Sequence, residues 1–343
     1  MSAFRRTPVF RIAVLAILVG LLAGCVSRQD SSGAKEAPAT IPLAELAGLT
    51  LQVGDQKGGT EALLRSAGAL DDLPYKIAFS TFTSGPPQIE AATAGKIDFA
   101  ITGNTPPIFG AASNAKVKVV SAYDGSGRGD RILVHNDSPI RAVADLRGKR
   151  VAVAKGTSAH GNLLAQLKRV DVPPSDLTLV FLQPADALGA FKQHQVDAWA
   201  IWDPYTAQAE ADIPVRSIAQ ATSITNGAGF GVASDDALAD PKRSTAIGDL
   251  LVRYAKAVRW AKDHPDQWAQ RYAAEVGLDP KVAAAAQDRS LRLPTALSDQ
   301  LVGTEQELAD LFAATKQIAA APEFASWVDR RYADTLNPLY LNR

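Results

Sequence analysis

The feature of this chain that most constrains its fold is a repeated alternation between short apolar strands and helical stretches. The alternation begins at Leu49 and continues to Ala233. Strands joined through helices in this way favour parallel sheets covered by helices, an α/β fold. The predicted strands are 49–53, 75–81, 98–102, 117–122, 131–135, 150–154, 177–181, 198–201, 214–218 and 230–233. The predicted helices between them are 59–67, 87–94, 106–115, 159–169, 184–193 and 204–209.

A turn cluster at residues 136–139 separates two runs of strands, which predicts two lobes. Each lobe is expected to be a mainly parallel sheet flanked by helices. We expect the first lobe to comprise residues 48–136 plus 231–343, and the second lobe to comprise residues 137–230. No strand is predicted after Leu238. Helices are predicted there at 242–261, 265–276, 280–291 and 305–319, and we expect this helical C-terminal tail to pack on the first lobe.

The N-terminus has the pattern of an export signal. Arg5, Arg6 and Arg11 form a basic region before the apolar stretch 12–22, which is too short to span a bilayer as a permanent helix. The sequence Leu-Ala-Gly-Cys25 follows and resembles the lipobox of bacterial lipoproteins, in which a lipid-modified cysteine becomes the first mature residue. We therefore expect a signal peptide at 1–24, a tether at 25–47, and a lipid on Cys25 that anchors the chain to a bacterial membrane, facing the periplasm or the cell exterior. An ordinary secretory signal is the alternative.

Composition excludes several classes of function. Cys25 is the only cysteine, so the chain after it has no cysteine nucleophile, disulfide or cysteine-based metal site. The four histidines show no metal-ligand spacing. Removal of residues 1–24 takes away three Arg and no acid, so the net charge changes from 0 to −3. A slightly acidic chain gives no support for nucleic-acid binding.

Five predicted strand-to-helix junctions carry groups able to hold a ligand, at residues 54–59, 83–87, 102–107, 156–158 and 202–205. In parallel α/β sheets, ligands bind where the strands end and the helices begin. The first N–H groups of a helix lack internal acceptors, and the helix dipole attracts negative charge there. N-capping explains the Ser, Thr or Asn at any single junction. Because capping alone does not require five junctions to converge, we predict one binding cleft.

The charges near these junctions indicate a singly charged anion. No junction carries a cluster of Arg, and the nearby cations are Lys57, Arg128 and Lys155. Neutral donors and helix N-termini suit a weakly basic monoanion held by many modest hydrogen bonds, and a sulfonate has this character. The aromatic residues expected to enclose an attached organic group are Trp202, Tyr205 and Phe230.

Several segments resemble a known family in both order and spacing. They are Gly85-Pro-Pro-Gln-Ile-Glu-Ala91, Ala94-Gly-Lys-Ile-Asp-Phe99, Gly103-Asn-Thr-Pro-Pro-Ile-Phe109, Asp145-Leu-Arg-Gly-Lys149, Lys155-Gly-Thr-Ser-Ala-His160, Leu182-Gln-Pro-Ala-Asp-Ala187 and Val196-Asp-Ala-Trp-Ala-Ile-Trp-Asp-Pro-Tyr205. Over roughly residues 49–295 the chain resembles the substrate-binding proteins of ABC importers. The resemblance is to the aliphatic sulfonate-binding branch of the nitrate, sulfonate and taurine group.

The resemblance implies a two-lobed type II periplasmic-binding-protein fold that closes on its ligand like a hinged clamp. It implies a lipid-anchored receptor, not an enzyme, that captures an aliphatic sulfonate or a related organosulfur monoanion and delivers it to an ABC permease and its ATPase. We expect a monomer without cofactor or metal. The residues that the resemblance implies for the site are Gln56, Ser84, Gly85, Asn104, Thr105, Gly156, Thr157, Ser158 and Trp202, and we add Phe230.

Four other residues have expected roles near the cleft. Arg128 lies in a glycine-rich loop at residues 124–130 and is expected to reach the cleft mouth. His160 is expected to pack in a helix or bond to the preceding loop, and Trp199 is expected in the core. Asp203 is expected either to cap a helix or to meet a cationic group on the ligand, which would favour an aminosulfonate such as taurine.

Two alternatives concern function. The sulfinate desulfinases, enzymes that resemble this group, depend on a cysteine nucleophile, which this chain lacks after Cys25. Within transport, the alternative ligands are taurine, nitrate and a pyrimidine precursor of thiamine.

Overall fold

The described part of the chain folds into two mixed β-sheets flanked by helices, which confirms the predicted fold class. This computed structural model describes residues 37–57 and 59–340. The strands are β1 (Thr50–Gln56), β2 (Lys76–Phe82), β3 (Phe99–Gly103), β4 (Val117–Asp124), β5 (Arg131–His135), β6 (Arg150–Val153), β7 (Thr178–Phe181), β8 (Ala198–Ile201), β9 (Val215–Gln220), β10 (Gly229–Ser234) and β11 (Leu293–Thr295). The α-helices are α1 (Thr60–Ser66), α2 (Gly85–Thr93), α3 (Thr105–Ala112), α4 (Ser158–Arg169), α5 (Pro184–Lys192), α6 (Tyr205–Asp212), α7 (Asp235–Ala239), α8 (Pro241–Asp263), α9 (Pro265–Val276), α10 (Pro280–Ser290), α11 (Asp299–Ala314) and α12 (Ala333–Leu336).

The first sheet has the strand order β11-β4-β10-β3-β1-β2 and forms the centre of the first lobe. Strand β1 pairs in parallel with β2 and β3. Strand β10 is antiparallel to both β3 and β4, and β11 is antiparallel to β4. Strands β1 to β4 therefore run in one direction, and their carboxyl ends lie at the same edge of the sheet.

The second sheet has the strand order β7-β6-β8-β5-β9 and forms the centre of the second lobe. Strand β6 pairs in parallel with β7 and β8, whereas β5 is antiparallel to β8 and β9. Four of the five strands consequently share one direction. Their carboxyl ends form a second edge at which loops enter helices.

Alternating apolar residues explain why the second sheet is covered by helices on both faces. Ile132 and Val134 of β5 pack in one buried cluster with Leu163 of α4. Leu133, which points to the opposite face, packs in another cluster with Phe191 of α5. Trp199 of β8 belongs to this second cluster and is fully buried, as the sequence predicts.

The chain crosses between the sheets earlier than residue 137, where the sequence places the boundary. Strand β5 hydrogen-bonds with β8 and β9, so residues 131–135 belong to the second lobe. The two crossing segments are therefore 125–130 and 221–228. They lie against each other, because Thr222 Oγ1 donates to the Ser126 carbonyl at 3.1 Å and the Ala221 N–H donates to the Asp130 carbonyl at 3.0 Å.

Two glycines allow the crossing segments to approach so closely. Gly227 has a φ of +62°, and a Cβ atom there would lie 2.9 Å from the carbonyl oxygen of Gly125. A Cβ atom at Gly125 would collide in turn with the carbonyl oxygen of Gly227. The glycine-rich character of both segments is thus a steric requirement of their contact.

The C-terminal tail packs on both lobes, whereas the sequence predicts packing on the first alone. Helices α8 and α9 cover one face of the first sheet, with Leu250 and Trp268 in its core cluster. Helix α10 contacts α6, and helix α11 contacts α3 and α4. The prediction that no strand follows Leu238 is wrong, since β11 pairs with β4 over three residues.

The segment expected to be a tether is partly packed where the structure describes it. Leu43–Leu46 forms a single 3-10 turn, and Leu46 is fully buried in the core of the first lobe. The Ile41 N–H donates to Thr245 Oγ1 of α8 at 3.2 Å. The expected signal peptide at 1–24 and the expected lipidation site Cys25 lie outside the described residues.

Candidate ligand-binding site

A cavity of about 170 Å³ lies between the two lobes, at the carboxyl ends of their strands. On the side of the first lobe it is bounded by Gln56 at the end of β1 and Gly103 at the end of β3. On the side of the second lobe it is bounded by Thr157, which precedes α4, and Trp202, which follows β8. Its volume is below the roughly 300–1,000 Å³ of pockets for drug-sized ligands, so the cavity suits a small molecule.

The structure brings together half of the residues that the sequence predicts for the site. Those that line the cavity are Gln56, Gly85, Thr157, Ser158 and Trp202. Those that lie outside its lining are Ser84, Asn104, Thr105, Gly156 and Phe230. Each of the first four is next in sequence to a residue that lines the cavity.

Phe230 is a core residue and does not enclose the ligand position. It lies in β10, where every residue is buried, and its side chain is fully buried in the cluster that contains Phe312 and Phe324. The rings of Phe230 and Phe324 have centroids 6.1 Å apart. The sequence prediction differs because β10 lies inside the sheet, between β3 and β4, with both of its faces covered.

Two helices, α2 and α4, begin at the cavity without a side-chain cap. Ser84 and Thr157 occupy the cap positions, but neither side chain accepts a bond from the helix that follows. The Thr157 hydroxyl instead donates backwards to the Ala154 carbonyl at 2.6 Å. The Ser158 hydroxyl donates to Asp130 Oδ1 at 2.8 Å. The first N–H groups of α4 therefore remain available to an anion, and α2 contributes the N–H of Gly85, because Pro86 and Pro87 have no N–H.

Ser84 links the two lobes. Its hydroxyl donates to Gln183 Oε1 at 3.1 Å, and the hydroxyl of the neighbouring Thr83 donates to the same oxygen at 2.9 Å. Ser84 precedes α2 in the first lobe, whereas Gln183 precedes α5 in the second. These two bonds join the lobes at one side of the cleft.

Asn104 and Thr105 belong to a buried polar network beside the cavity. The Thr105 hydroxyl donates to Asn104 Oδ1 at 3.0 Å, and Asn104 Nδ2 donates to Asn226 Oδ1 at 3.0 Å. Asn226 Nδ2 then donates to Glu305 Oε2 of α11 at 2.7 Å. Burial raises the pKa of Glu305 to about 8, and the bond from Asn226 lowers it in part. The network connects a loop of the first lobe with a crossing segment and with the tail.

Gly156 and His160 pack the start of α4 against the first lobe. Gly156 has a φ of +73°, and a Cβ atom there would lie 3.1 Å from the ring of Phe109. The Gly156 N–H donates to His160 Nδ1 at 3.2 Å. Burial, with a smaller effect from Lys155, lowers the pKa of His160 to about 3. His160 is thus a neutral packing residue, as the sequence predicts.

Asp203 caps α6 and is paired with a residue of the tail. Its Oδ1 accepts the Ala207 N–H at 3.0 Å, and its two carboxylate oxygens accept Nε and Nη2 of Arg289 at 2.9 Å each. Arg289 also donates to Glu210 at 2.8 Å. Burial raises the pKa of Asp203 to about 6, although Arg289 opposes that effect. The negative charge of Asp203 is therefore already matched by the chain.

Two cations line the cavity, Lys57, which the sequence analysis names, and Arg292, which it misses. Arg128, expected at the cleft mouth, donates instead to the Asp288 carbonyl at 2.5 Å and pairs with the Asp288 carboxylate at 3.2 Å. Lys155 Nζ lies 5.7 Å from the centroid of the Phe181 ring. Lys57 also lines the cavity, with its Nζ 4.8 Å from the centroid of the Tyr205 ring. The sequence offers no signal for Arg292, because this residue lies in the C-terminal tail, which is not expected from the sequence to contribute to the cleft.

Aromatic residues from the tail line the part of the cavity on the side of the first lobe. Tyr254 of α8 and Trp268 and Tyr272 of α9 join Tyr123 of β4 there. Tyr123 and Tyr254 meet edge to face with ring centroids 5.1 Å apart, and Trp268 and Tyr272 are 5.3 Å apart. Burial raises the pKa of Tyr254 to about 12. The four-residue spacing of Trp268 and Tyr272 places both on one face of a helix, a signal that was available in the sequence.

Asp55 is a second lining residue that sequence reasoning missed. It lies at the end of β1 and is only 2% exposed. Its Oδ1 accepts the Thr60 N–H of α1 at 2.7 Å. Burial is the main cause that raises the pKa of this carboxyl, and backbone hydrogen bonds oppose it in part.

Residues 37–57 and 59–340 contain no group of three or more His, Cys, Asp or Glu side chains arranged to hold a metal ion. Within the same ranges, none of the helices is both long enough and apolar enough to cross a bilayer.

The chain is similar to known proteins in both sequence and fold. Residues 71–287 match the profile of a family described as "ABC transporter, phosphonate, periplasmic substrate-binding protein". A relative from Escherichia coli (strain K12) is 34% identical over 76% of this chain and 83% of its own length. A relative from Bacillus subtilis (strain 168) is 32% identical over 94% of this chain and 95% of its own length. Both are provisionally named aliphatic sulfonates-binding proteins.

A solved structure with the same fold comes from Xanthomonas axonopodis pv. citri and is described as the alkanesulfonate-binding protein SsuA bound to MOPS. It superposes on 85% of this chain and on the whole of its own chain, with 30% sequence identity and a TM-score of 0.76.

Proposed function

The chain belongs to the family of periplasmic substrate-binding proteins of ABC transporters, and on this premise we propose that it captures a small organosulfonate between its lobes for delivery to an ABC permease. It is a binding protein and not an enzyme. The proposed ligand class is an aliphatic sulfonate or a related organosulfur monoanion.

The observation that carries this proposal is the pair of uncapped helix starts at one cavity. Helix α2 comes from the first lobe and α4 from the second, and Gly85, Thr157 and Ser158 at their starts line the same space. The start of α4 offers its first backbone N–H groups, the start of α2 offers the N–H of Gly85, and both present the positive end of the helix dipole. An anion between the two starts would contact both lobes and stabilise the closed arrangement.

The charge balance of the cavity supports a monoanion. Arg292 and Lys57 are the cationic side chains at its lining, and the carboxyls of Asp55 and Asp203 lie at the same lining. Because the two positive side chains are accompanied by two carboxyls, little positive charge is left to compensate a dianion. The lining therefore disfavours a doubly charged phosphonate. A sulfonate carries one charge and accepts several hydrogen bonds without being protonated at neutral pH.

We further propose that the chain is exported and held at the membrane by a lipid on Cys25. The support is the sequence alone: the basic and apolar stretches at residues 5–22 and the lipobox-like Leu-Ala-Gly-Cys25. Cys25 is also the only cysteine, and a lipid explains why an exported chain carries a thiol that cannot form an intramolecular disulfide. Mass spectrometry of the protein purified from membranes tests this point. Cleavage before Cys25 with an added diacylglyceryl mass is expected, and an unmodified Cys25 thiol in the mature protein would contradict it.

A thermal-shift screen with calorimetry of the hits tests the function. The panel comprises alkanesulfonates, taurine, arylsulfonates, sulfate esters, methylphosphonate, nitrate and a thiamine pyrimidine precursor. We expect sulfonates to raise the melting temperature, because a ligand at 100 times its Kd adds about 2.7 kcal/mol to the stability of the native state. Binding of phosphonate, nitrate or the pyrimidine in preference to every sulfonate would overturn the proposal.

A further inference from the structure

The cavity contains a buried acid that has no partner of opposite charge. Asp55 is 2% exposed, and its carboxylate accepts backbone N–H groups, among them that of Thr60 at 2.7 Å. Within the part of the chain that the structure describes, no Lys or Arg forms an ion pair with it, and the charged side chain that affects its pKa is another acid, Glu61. A buried carboxylate without a cation is costly, and such groups are ordinarily paired.

The other buried acids near the cavity differ from Asp55 in this respect. Asp203 accepts hydrogen bonds from Nε and Nη2 of Arg289, each at 2.9 Å. Asp130 accepts the Ser158 hydroxyl at 2.8 Å and is stabilised by the charge of Arg292. Asp55 is thus the acid at the cavity lining that still lacks a counter-charge.

Aromatic rings line the same cavity as Asp55. Tyr254, Trp268 and Tyr272 line it together with Asp55, and the charge of Asp55 acts on both tyrosines. The faces of aromatic rings attract cations, and a ring of them beside an acid is the chemistry that recognises alkylated ammonium groups. The chain's own Lys57 lies over a different ring of the lining, Tyr205.

We infer that Asp55 and the rings of Tyr254, Trp268 and Tyr272 bind the ammonium group of a zwitterionic sulfonate. This inference rests on the proposed function, since the sulfonate group would lie at the starts of α2 and α4. The proposed group is an alkylated ammonium, because it needs no hydrogen-bond acceptors and is attracted by the faces of aromatic rings. The ligand would therefore carry both charges, with the negative end at the helix starts and the positive end at Asp55.

The protonation of Asp55 supports the same assignment. Burial raises the pKa of this carboxyl in the cavity, so the charged form is disfavoured when no cation is present. A bound ammonium group would favour the charged form. Affinity for an ammonium sulfonate is consequently expected to fall as the pH is lowered through the pKa of Asp55, whereas affinity for an uncharged analogue is not.

The test compares two ligands of nearly the same shape by calorimetry of the wild-type mature protein. One is trimethylammonioethanesulfonate, and the other is its carbon isostere, in which a tert-butyl group replaces the trimethylammonium group. We expect the ammonium compound to bind about tenfold more tightly. Equal affinities, or a preference for the carbon isostere, would overturn the inference and leave the proposed function intact.

A charge-removing variant locates the preference at Asp55. Asp55→Asn keeps an oxygen that can accept the Thr60 N–H, so the helix contact is retained. We expect Asp55→Asn to remove the preference for the ammonium compound while still binding the carbon isostere. The matched control is Glu90→Gln, which removes the charge of an exposed acid of α2 outside the cavity lining, and it is expected to keep the preference. A preference that survives in Asp55→Asn would overturn the assignment.

The same experiment separates the two proposals. If neither compound binds the wild-type protein but other sulfonates of the panel do, only the inference fails; if no sulfonate binds, the proposed function fails and the inference falls with it. If both bind with equal affinity, only the inference fails. Because the comparison of the two ligands uses the unmodified protein, it does not depend on whether Asp55→Asn folds.

Discussion

Arg289 neutralises a carboxylate that is shut off from solvent. The side chain of Asp203 is completely buried, that of Arg289 is 9% exposed, and the guanidinium reaches from the tail to the second lobe. Removing one partner of such a pair leaves an uncompensated buried charge. We expect Arg289→Met to lower the free energy of unfolding at neutral pH by about 3–5 kcal/mol, measured by urea denaturation.

The control for Arg289 is an exposed pair of the second lobe. Lys192 and Asp212 are 3.4 Å apart, and both side chains are 43% exposed. Exposed pairs contribute little, so Lys192→Met is expected to leave the free energy of unfolding nearly unchanged. Equal losses of stability in the two variants would show that the burial of Asp203 has no special cost.

Glu305 gives the fold a measurable dependence on pH. Burial raises its pKa from the ordinary value of 4.5 to about 8, so the folded chain holds an extra proton between these two values. The stability from this proton is complete below about pH 4.5 and is lost as the pH rises to about 8. Glu305→Gln keeps an acceptor for Asn226 but cannot ionise. We expect it to raise the melting temperature at pH 8.5 more than at pH 5, and an equal effect at both would contradict the account.

At the scale of elements, the contact between the two crossing segments depends on Gly227. A Cβ atom there meets backbone atoms at 2.9 Å and 3.0 Å, and the φ of +62° is unfavourable for other residues. Gly148 is the matched control, because its φ is +71° but a Cβ atom there would meet no atom within 4 Å. We expect Gly148→Ala to cost about 1 kcal/mol in urea unfolding and Gly227→Ala to cost clearly more. Equal costs would mean that the segments can move apart freely.

The elements that could be predicted are those with a clear apolar period. The sequence gives the bounds of β5 and β8 as the structure has them, because these strands are short apolar runs with polar neighbours. It misses β11, whose three residues include Pro294, a residue that normally argues against a strand. The predicted start of α11 is also six residues late, because the first turn of this helix, which follows the N-cap Ser298, contains polar and charged residues.

The sequence predicts the residues of the site only where they belong to a strand-to-helix junction. Gln56, Gly85, Thr157, Ser158 and Trp202 line the cavity because each stands at a strand end or helix start that the alternation of elements already indicates. Arg292, Tyr254 and Trp268 enter from the tail, and their arrival depends on tertiary packing that no local pattern contains. Asp55 was overlooked since its importance comes from burial beside those same tail residues.

At the scale of the whole molecule, contacts across the cleft connect binding with closure. Gln183 of the second lobe accepts bonds from Thr83 and Ser84 of the first at 2.9 Å and 3.1 Å. We expect Gln183→Ala to weaken ligand binding by about two- to tenfold in calorimetry, because the closed form loses two hydrogen bonds. Gln193→Ala, at the other end of the same helix, serves as the control and is expected to bind normally. Unchanged affinity in Gln183→Ala would exclude a role for this contact in closure.

A crystal structure of the mature protein with a bound alkanesulfonate would show directly whether one anion contacts the helix starts of both lobes. We expect the sulfonate oxygens to accept the Gly85 N–H of α2 and the first N–H groups of α4 at about 2.7–3.2 Å, with the organic group towards the aromatic residues of the tail. Both lobes would then contact one anion. A sulfonate bound to only one lobe, or outside the cavity lined by Gly85 and Ser158, would contradict the claim.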